Sequence, residues 1–187
     1  ELEVKFGTKD LRNVKKFTRN DYDNVIRKLK SSGFKIIGDI NGQYYLRINS
    51  EFRDKDGDLK ISNIRTEIKG LNAIQDYCKN NDLKSIINLN PTLVDFLQKK
   101  NVYYPDSKDR AVADFDDFNF RVSLQTEERV KMAIQNNIVQ SWRTEKKEFR
   151  FLNRVSFEHP DYTFVIDLSI TKYGNRAPSR FGKENRG

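Results

Sequence analysis

Apolar and charged residues alternate in steps of two along several stretches of the chain. In the first, "ELEVKFGT", Leu2, Val4 and Phe6 alternate with Glu1, Glu3 and Lys5. A period of two belongs to a strand, so one face of this segment carries two carboxylates and an ammonium. "TRNDYDNVIRKLKSSGF" changes to helical spacing, with Tyr22, Val25, Ile26 and Leu29 on one stripe, Thr18 or Asn20 as cap and Gly33 as stop. "GQYYLRINSEF" and "LKISNIRTEIKG" return to strand period around "RDKDGDL", which predicts a hairpin with Gly57 in its turn. Its second strand sets Ile64 and Ile68 against Arg65, Glu67 and Lys69.

From about residue 71 to 100 the pattern predicts a helical insertion. "LNAIQDYC" forms one short helix, and "NPTLVDFLQKK" starts another with Asn90 as cap and Pro91 in the first turn. "DFDDFNFRVSLQ" then alternates Phe118, Phe120, Val122 and Leu124 with Asn119, Arg121, Ser123 and Gln125, and Thr126 is read as the cap of a helix through Ile134. "WRTEKKEFRFLNRVSFE" and "DYTFVIDLSITKYG" predict a second hairpin, around His159 and Pro160. In it Arg150, Leu152, Arg154 and Ser156 share one face and Phe149, Phe151, Val155 and Phe157 the other. The tail "GNRAPSRFGKENRG" is basic and without period.

The strands thus share one design: an apolar face that packs under helices, and a second face of Arg, Lys, Glu and Asp. An open sheet turns such a face to water. A closed antiparallel barrel, covered outside by helices, makes the charged faces converge instead.

Composition narrows the class. At 187 residues the chain suits one domain, and its 12% aromatic content supplies a core despite 33% charged residues. A formal charge of +8 favours polyanionic partners. No apolar run approaches the ~20 residues of a membrane span, and no signal peptide is visible, so no membrane partner and a cytoplasmic, non-secreted location are expected. The single cysteine, Cys78, excludes an internal disulfide and reads as a small core residue.

The charged residues have a joint chemistry. Glu1 and Glu3 lie about 6 to 7 Å apart along a strand, where two carboxylates repel unless a cation lies between them. A hard divalent ion, Mg²⁺ or Mn²⁺, held by one or two carboxylates, waters and a substrate phosphate would satisfy them. Lys5, Arg65, Lys69, Arg121, Arg150 and Arg154 lie on the matching faces, and a phosphate chain would relieve their mutual repulsion.

"ELEVKFGT" resembles the first-strand motif E-x-E-x-K-F-G of the triphosphate tunnel metalloenzymes. "FRFLNRVSFEHPDYTFVIDLSITK" resembles their later hairpin, R-x-S-F/Y followed by I-D-L-T/S. The ordered pair is most similar to RNA 5′-triphosphatase domains of mRNA capping enzymes from large DNA viruses. The resemblance implies an eight-stranded antiparallel tunnel that removes the γ-phosphate of triphosphate-ended RNA with Mg²⁺ or Mn²⁺, and a viral factory or virion as its setting if the protein is viral. It places Glu1 and Glu3 on the metal-binding carboxylates and Lys5 on a phosphate-contacting lysine. Arg154 falls on the arginine before the serine and Asp167 on the aspartate of I-D-L-T, both in the catalytic set. Arg65, Lys69, Arg121, Arg150 and Lys172 join as phosphate contacts by strand parity and charge.

Two departures bear on that reading. The family carries a basic residue where Leu152 stands, and Arg150 is expected to take its part. The family's second glutamate cluster follows the I-D-L-T hairpin, where this chain has only Glu184 in its tail. The chain is therefore expected to be one triphosphatase domain, 1–187, of a longer enzyme, with guanylyltransferase and methyltransferase domains covalently linked. Two alternatives stand beside the RNA reading. One is a tunnel enzyme acting on inorganic tripolyphosphate or NTP, or a nucleotidyl cyclase; the other is a non-catalytic RNA-binding module. "DKDGD" is a turn rather than a calcium loop, because Gly57 falls at the fourth position and no Glu follows at the twelfth. His159, Trp142 and the tyrosine pairs at 44 and 45 and at 103 and 104 read as turn or packing residues.

Overall fold

The computed structural model describes residues 2–6, 18–118 and 120–174. Its elements are strand β1 (Leu2–Phe6), helix α1 (Arg19–Ser31), strands β2 (Lys35–Ile37), β3 (Gln43–Arg53) and β4 (Leu59–Lys69), helices α2 (Leu71–Asn80) and α3 (Leu83–Leu89), strands β5 (Val94–Asn101), β6 (Val112–Phe115) and β7 (Phe120–Arg129), helix α4 (Met132–Ser141), and strands β8 (Lys147–Glu158) and β9 (Ile166–Gly174). The chain forms two compact units, one from the described parts of Glu1–Gly33 and Lys99–Glu128, the other from Phe34–Gln98 and the described part of Arg129–Gly187.

In the first unit β7 pairs antiparallel with β1 and with β6, placing Glu3 opposite Ser123, Lys5 opposite Arg121, and Arg121 opposite Asp114. Helix α1 starts on a capping box: Asp21 N–H donates to Thr18 Oγ1 at 3.2 Å, and Thr18 N–H donates to the Asp21 carboxylate at 2.8 Å. Of the two caps expected, Thr18 and Asn20, the helix takes Thr18.

In the second unit β4 pairs with β5 and β3, β3 with β8, and β8 with β9 and the short β2, all antiparallel. Leu46, Ile48, Ile68, Val94, Phe96 and Phe149 line one face and pack against Ile74, Tyr77, Leu83, Ile86 and Trp142 from the helical segments. Each such side chain contributes roughly 1.5–3 kcal/mol by leaving water, so this face holds the sheet to its helices. The buried Lys147 ends α4: its Nζ donates to Trp142 O, and to Glu145 O at 2.8 Å, carbonyls left open past the last helical turn. The β3–β4 hairpin and its Gly57 turn, and the β8–β9 hairpin, form where the alternation predicts them.

The helical insertion is shorter than expected. Asn90 does cap a turn, accepting from Thr92 N–H at 3.0 Å, but Pro91–Leu93 is a single 3-10 turn and the chain then enters β5. Val94 and Phe96 are buried opposite Ile68 and Thr66, so their period of two prevails over the proline-led helix start. The second helix is instead "LKSIINL", capped by Asp82. Thr126 caps no helix: β7 runs on to Arg129, with the opposite charges Lys99–Glu127 and Lys100–Glu128 at 3.3 and 3.1 Å, and α4 begins at Met132.

The antiparallel sheets and helices match the expected class, but among the described residues neither unit's sheet closes on itself into a barrel. Also among these residues, no helix is long and apolar enough to cross a membrane.

Candidate functional site

Strand alternation that buries Leu46, Ile48 and Ile68 turns their sequence neighbours to the other face of the second unit's sheet, and register aligns these in cross-strand rows. One row reads Asp95, Glu67, Arg47, Arg150, Tyr173; the next holds Lys69, Tyr45, Leu152 and Thr171; beyond it lie Gln43, Arg154 and Ser169, then Ser156 and Asp167. Gly42 sets where β3 begins beside Arg154. Its φ is +81°, and an added Cβ would lie 2.7 Å from Arg154 O, so only glycine fits this turn.

Carboxylates tie the basic side chains down. Glu67, only 6% exposed, accepts from Arg47 Nε at 2.7 Å, and Arg65 Nη2 lies 3.5 Å from the same oxygen. Asp95 is shared by Lys69 and by Arg129 Nη2, the latter at 2.9 Å. Arg154 Nη1 pairs with Asp167 Oδ2 at 2.8 Å while its Nε donates to Ser169 Oγ at 3.3 Å; Ser156 Oγ in turn donates to Asp167 Oδ1 at 2.7 Å. The guanidinium of Arg154 lies 5.9 Å from the Tyr45 ring centre, and that of Arg150 lies 5.0 Å from the Tyr173 ring. Burial, and then the Glu67 charge, push the Tyr45 phenol above its usual range, so it stays protonated and donates to Gln43 Oε1. Arg47, Arg65, Lys69, Arg129, Arg150 and Arg154 outnumber Glu67, Asp95, Glu148 and Asp167, so the face is basic, held in place by fixed carboxylates. Guanidinium N–H groups not used on carboxylates suit phosphate oxygens.

Of the residues singled out in the sequence, Arg65, Lys69, Arg150, Arg154 and Asp167 come together on this face. Lys172 does not. It lies opposite Phe151, on the other face from Arg154, because parity within β9 groups it with Ile166, Leu168 and Ile170. Leu152, at a position that is basic in the family the sequence resembles, is a buried side chain, 1% exposed, between Tyr45 and Thr171. Arg47, Glu67, Asp95, Arg129, Tyr45, Ser156 and Ser169 were not singled out. Parity with Arg65 and Lys69 marks Glu67; Arg47 shares parity with Tyr45; Asp95 and Arg129 lie in stretches misread as helix.

The first unit carries its own charged face. Arg121 makes a two-pronged pair with Asp114, Nε–Oδ1 at 2.6 Å and Nη2–Oδ2 at 3.0 Å, which raises its pKa above the usual arginine range. Glu3 lies half-buried opposite the buried Ser123. Glu1 lies outside the described residues, and of Lys5 only the backbone register opposite Arg121 is described. Among the described residues no group of three His, Cys, Asp or Glu side chains is placed to hold a metal ion, and Glu3 is the one member of the expected carboxylate pair among them.

The fold has a structural counterpart. The RNA triphosphatase domain of a trifunctional mimivirus mRNA capping enzyme matches this chain with a TM-score of 0.51 at 12% identity, over 94% of this chain and 72% of that one. The chain shares its fold with an RNA triphosphatase domain. A further structure, of the mimivirus capping enzyme triphosphatase, gives a TM-score of 0.40 at 11% identity over 89% of this chain and 84% of that one. At the level of sequence, no protein-family model and no curated protein matches.

Proposed function

We propose that this chain is a polynucleotide 5′-triphosphatase domain, which removes the γ-phosphate from the 5′ end of nascent mRNA as the first step of cap formation. The observation that carries this reading is the basic face of β3, β4, β8 and β9, with Arg47, Lys69, Arg150 and Arg154 side by side and anchored by Glu67, Asp95 and Asp167 on a sheet of that fold. Water attacks the γ-phosphorus in line; its oxygen–phosphorus bond forms as the bridging oxygen leaves on the β-phosphate, giving inorganic phosphate and a diphosphate end. The protein's part is positioning and charge stabilisation: Arg47 and Arg154 hold the equatorial oxygens in a fixed array where negative charge spreads in the transition state. Asp167, itself held by Ser156, keeps the Arg154 fork aimed.

The reading includes a closed eight-stranded tunnel, with Glu1 and Glu3 as ligands of Mg²⁺ or Mn²⁺ and Lys5 as a phosphate contact. By likeness to the trifunctional mimivirus enzyme it also includes 1–187 as one domain of a cytoplasmic capping enzyme with linked guanylyltransferase and methyltransferase domains. Phosphate release from triphosphate-ended RNA, NTP and tripolyphosphate, each with Mg²⁺ and with Mn²⁺, tests it. Metal-dependent release from RNA is expected, lost in Glu1→Ala and in Glu3→Ala with the far-ultraviolet circular dichroism unchanged. Full activity in both variants would sink the assignment.

A further inference from the structure

We propose that Tyr173, backed by the guanidinium of Arg150, forms a nucleoside subsite, which stacks on the base of the first nucleotide and lets the site tell a nucleoside-linked triphosphate from inorganic tripolyphosphate. This rests on the triphosphatase reading and adds a substrate determinant to it.

The two residues close one end of the row Asp95, Glu67, Arg47, Arg150, Tyr173. Toward the other end the cations are committed to carboxylates: Arg47 to Glu67, and Arg129 and Lys69 to Asp95. Among the described residues Arg150 has no carboxylate partner within ion-pair distance, and its guanidinium carbon lies over the Tyr173 ring, 5.0 Å from the centroid. Tyr173 is 68% exposed, although it stands on the charged face and not on a packed one.

Neighbouring strands are about 4.8 Å apart, so the Tyr173 backbone lies roughly 10 Å from that of Arg47, across β8. A triphosphate laid along the row from Arg47 past Arg150 therefore brings its nucleoside end to β9, where an exposed ring waits. A nucleobase stacks on such a ring whatever its identity, which suits an enzyme that meets any first nucleotide. The Arg154–Tyr45 pair has the same composition but lies further inside, with its arginine bound to Asp167 and Ser169. It is the inner member, facing phosphate; Arg150–Tyr173 is the outer one.

The test is calorimetric titration of the protein with β,γ-imido ATP and with imidotriphosphate, in wild type, Tyr173→Ala and Tyr173→Phe, alongside turnover of triphosphate-ended RNA and tripolyphosphate. Loss of one base stack weakens binding about ten- to a hundredfold. That loss is expected for the ATP analogue in Tyr173→Ala, with imidotriphosphate binding unchanged and Tyr173→Phe close to wild type. Equal loss for both ligands, loss for neither, or a wild type that binds neither would overturn the subsite. If turnover of RNA is normal and selectivity does not move, the subsite falls and the triphosphatase stands. If no substrate is turned over but the ATP analogue binds through Tyr173, the hydrolase reading falls and the subsite stands.

Discussion

Arg47 and Arg150 stand directly opposite each other on neighbouring strands, and the nearest carboxylate to Arg47, Glu67, sits one strand further on at 2.7 Å. Like charges facing across a ladder destabilise a sheet, so Glu67 offsets the repulsion between these two arginines.

Removing Glu67 should therefore be costly to the fold. Arg47 and Arg65, whose side chains are 14% and 12% exposed, would both lose their shared oxygen. Breaking one side of a buried pair costs about 3–5 kcal/mol, and urea unfolding of Glu67→Ala should show a loss of that order. A change below about 1 kcal/mol would mean that water already compensates these arginines.

Arg154 should matter more to turnover than to stability. Loss of one preorganised donor typically lowers kcat about 100- to 1000-fold, and Arg154→Ala is expected in that range. Arg154→Lys should not restore it, because an ammonium cannot keep the fork shared between Asp167 and Ser169. Asp167→Asn leaves the guanidinium in place but poorly aimed, so a smaller fall in kcat is expected. Steady-state kinetics on triphosphate-ended RNA decide; equal effects of Asp167→Asn and Arg154→Ala would give Asp167 a role beyond positioning.

Lys147 offers a stability test away from the charged face. Lys147→Met keeps the stem against Trp142 and removes the donor to Trp142 O and Glu145 O, for an expected loss of about 1–3 kcal/mol. Burial pushes the Lys147 pKa below its usual 10.5. The folded state then releases this proton before the unfolded state does, so stability rises with pH between the depressed value and 10.5, and is lost again as pH falls through the depressed value. Unfolding measured against pH should show that alkaline rise in the wild type and not in Lys147→Met.

The β3–β4 turn predicts an effect of the same sense in the acid range. Asp54 pairs with Lys60 and accepts from the N–H groups of Asp58 and Asp56 at 2.9 and 3.0 Å, which together hold its carboxyl below the usual range. Its contribution is present above pH ~4 and fades as pH falls through the depressed value. Asp54→Asn should make the acid limb of the stability curve shallower; an unchanged limb would show that the turn holds without this carboxylate.

How much was legible in the sequence follows from range. Period-two runs over eleven or twelve residues name β3, β4, β8 and their faces, because a long alternation has one reading. "TRND" narrows the cap of α1 to Thr18 or Asn20, because that bond spans three residues. The motifs "ELEVKFGT" and "NRVSFE" with "IDLS" pointed to the fold that the mimivirus domain also has. Short segments failed: "VDFLQKK" has an apolar pattern that suits helix or strand, and only pairing with β4 made it β5.

The site divides in the same way. Glu3, Arg65, Lys69, Arg150 and Arg154 could be marked by type and parity along one strand, and Asp167 by the resemblance of "IDLS" to a family motif. That Glu67 serves both Arg47 and Arg65, that Asp95 holds Lys69 and Arg129, and that Lys172 faces away depend on which residue lies opposite which. The chain alone determined what each strand offers on each face. Tertiary register decided which charges meet, because an ion pair needs two groups a few ångströms apart, and that distance is not written along one strand.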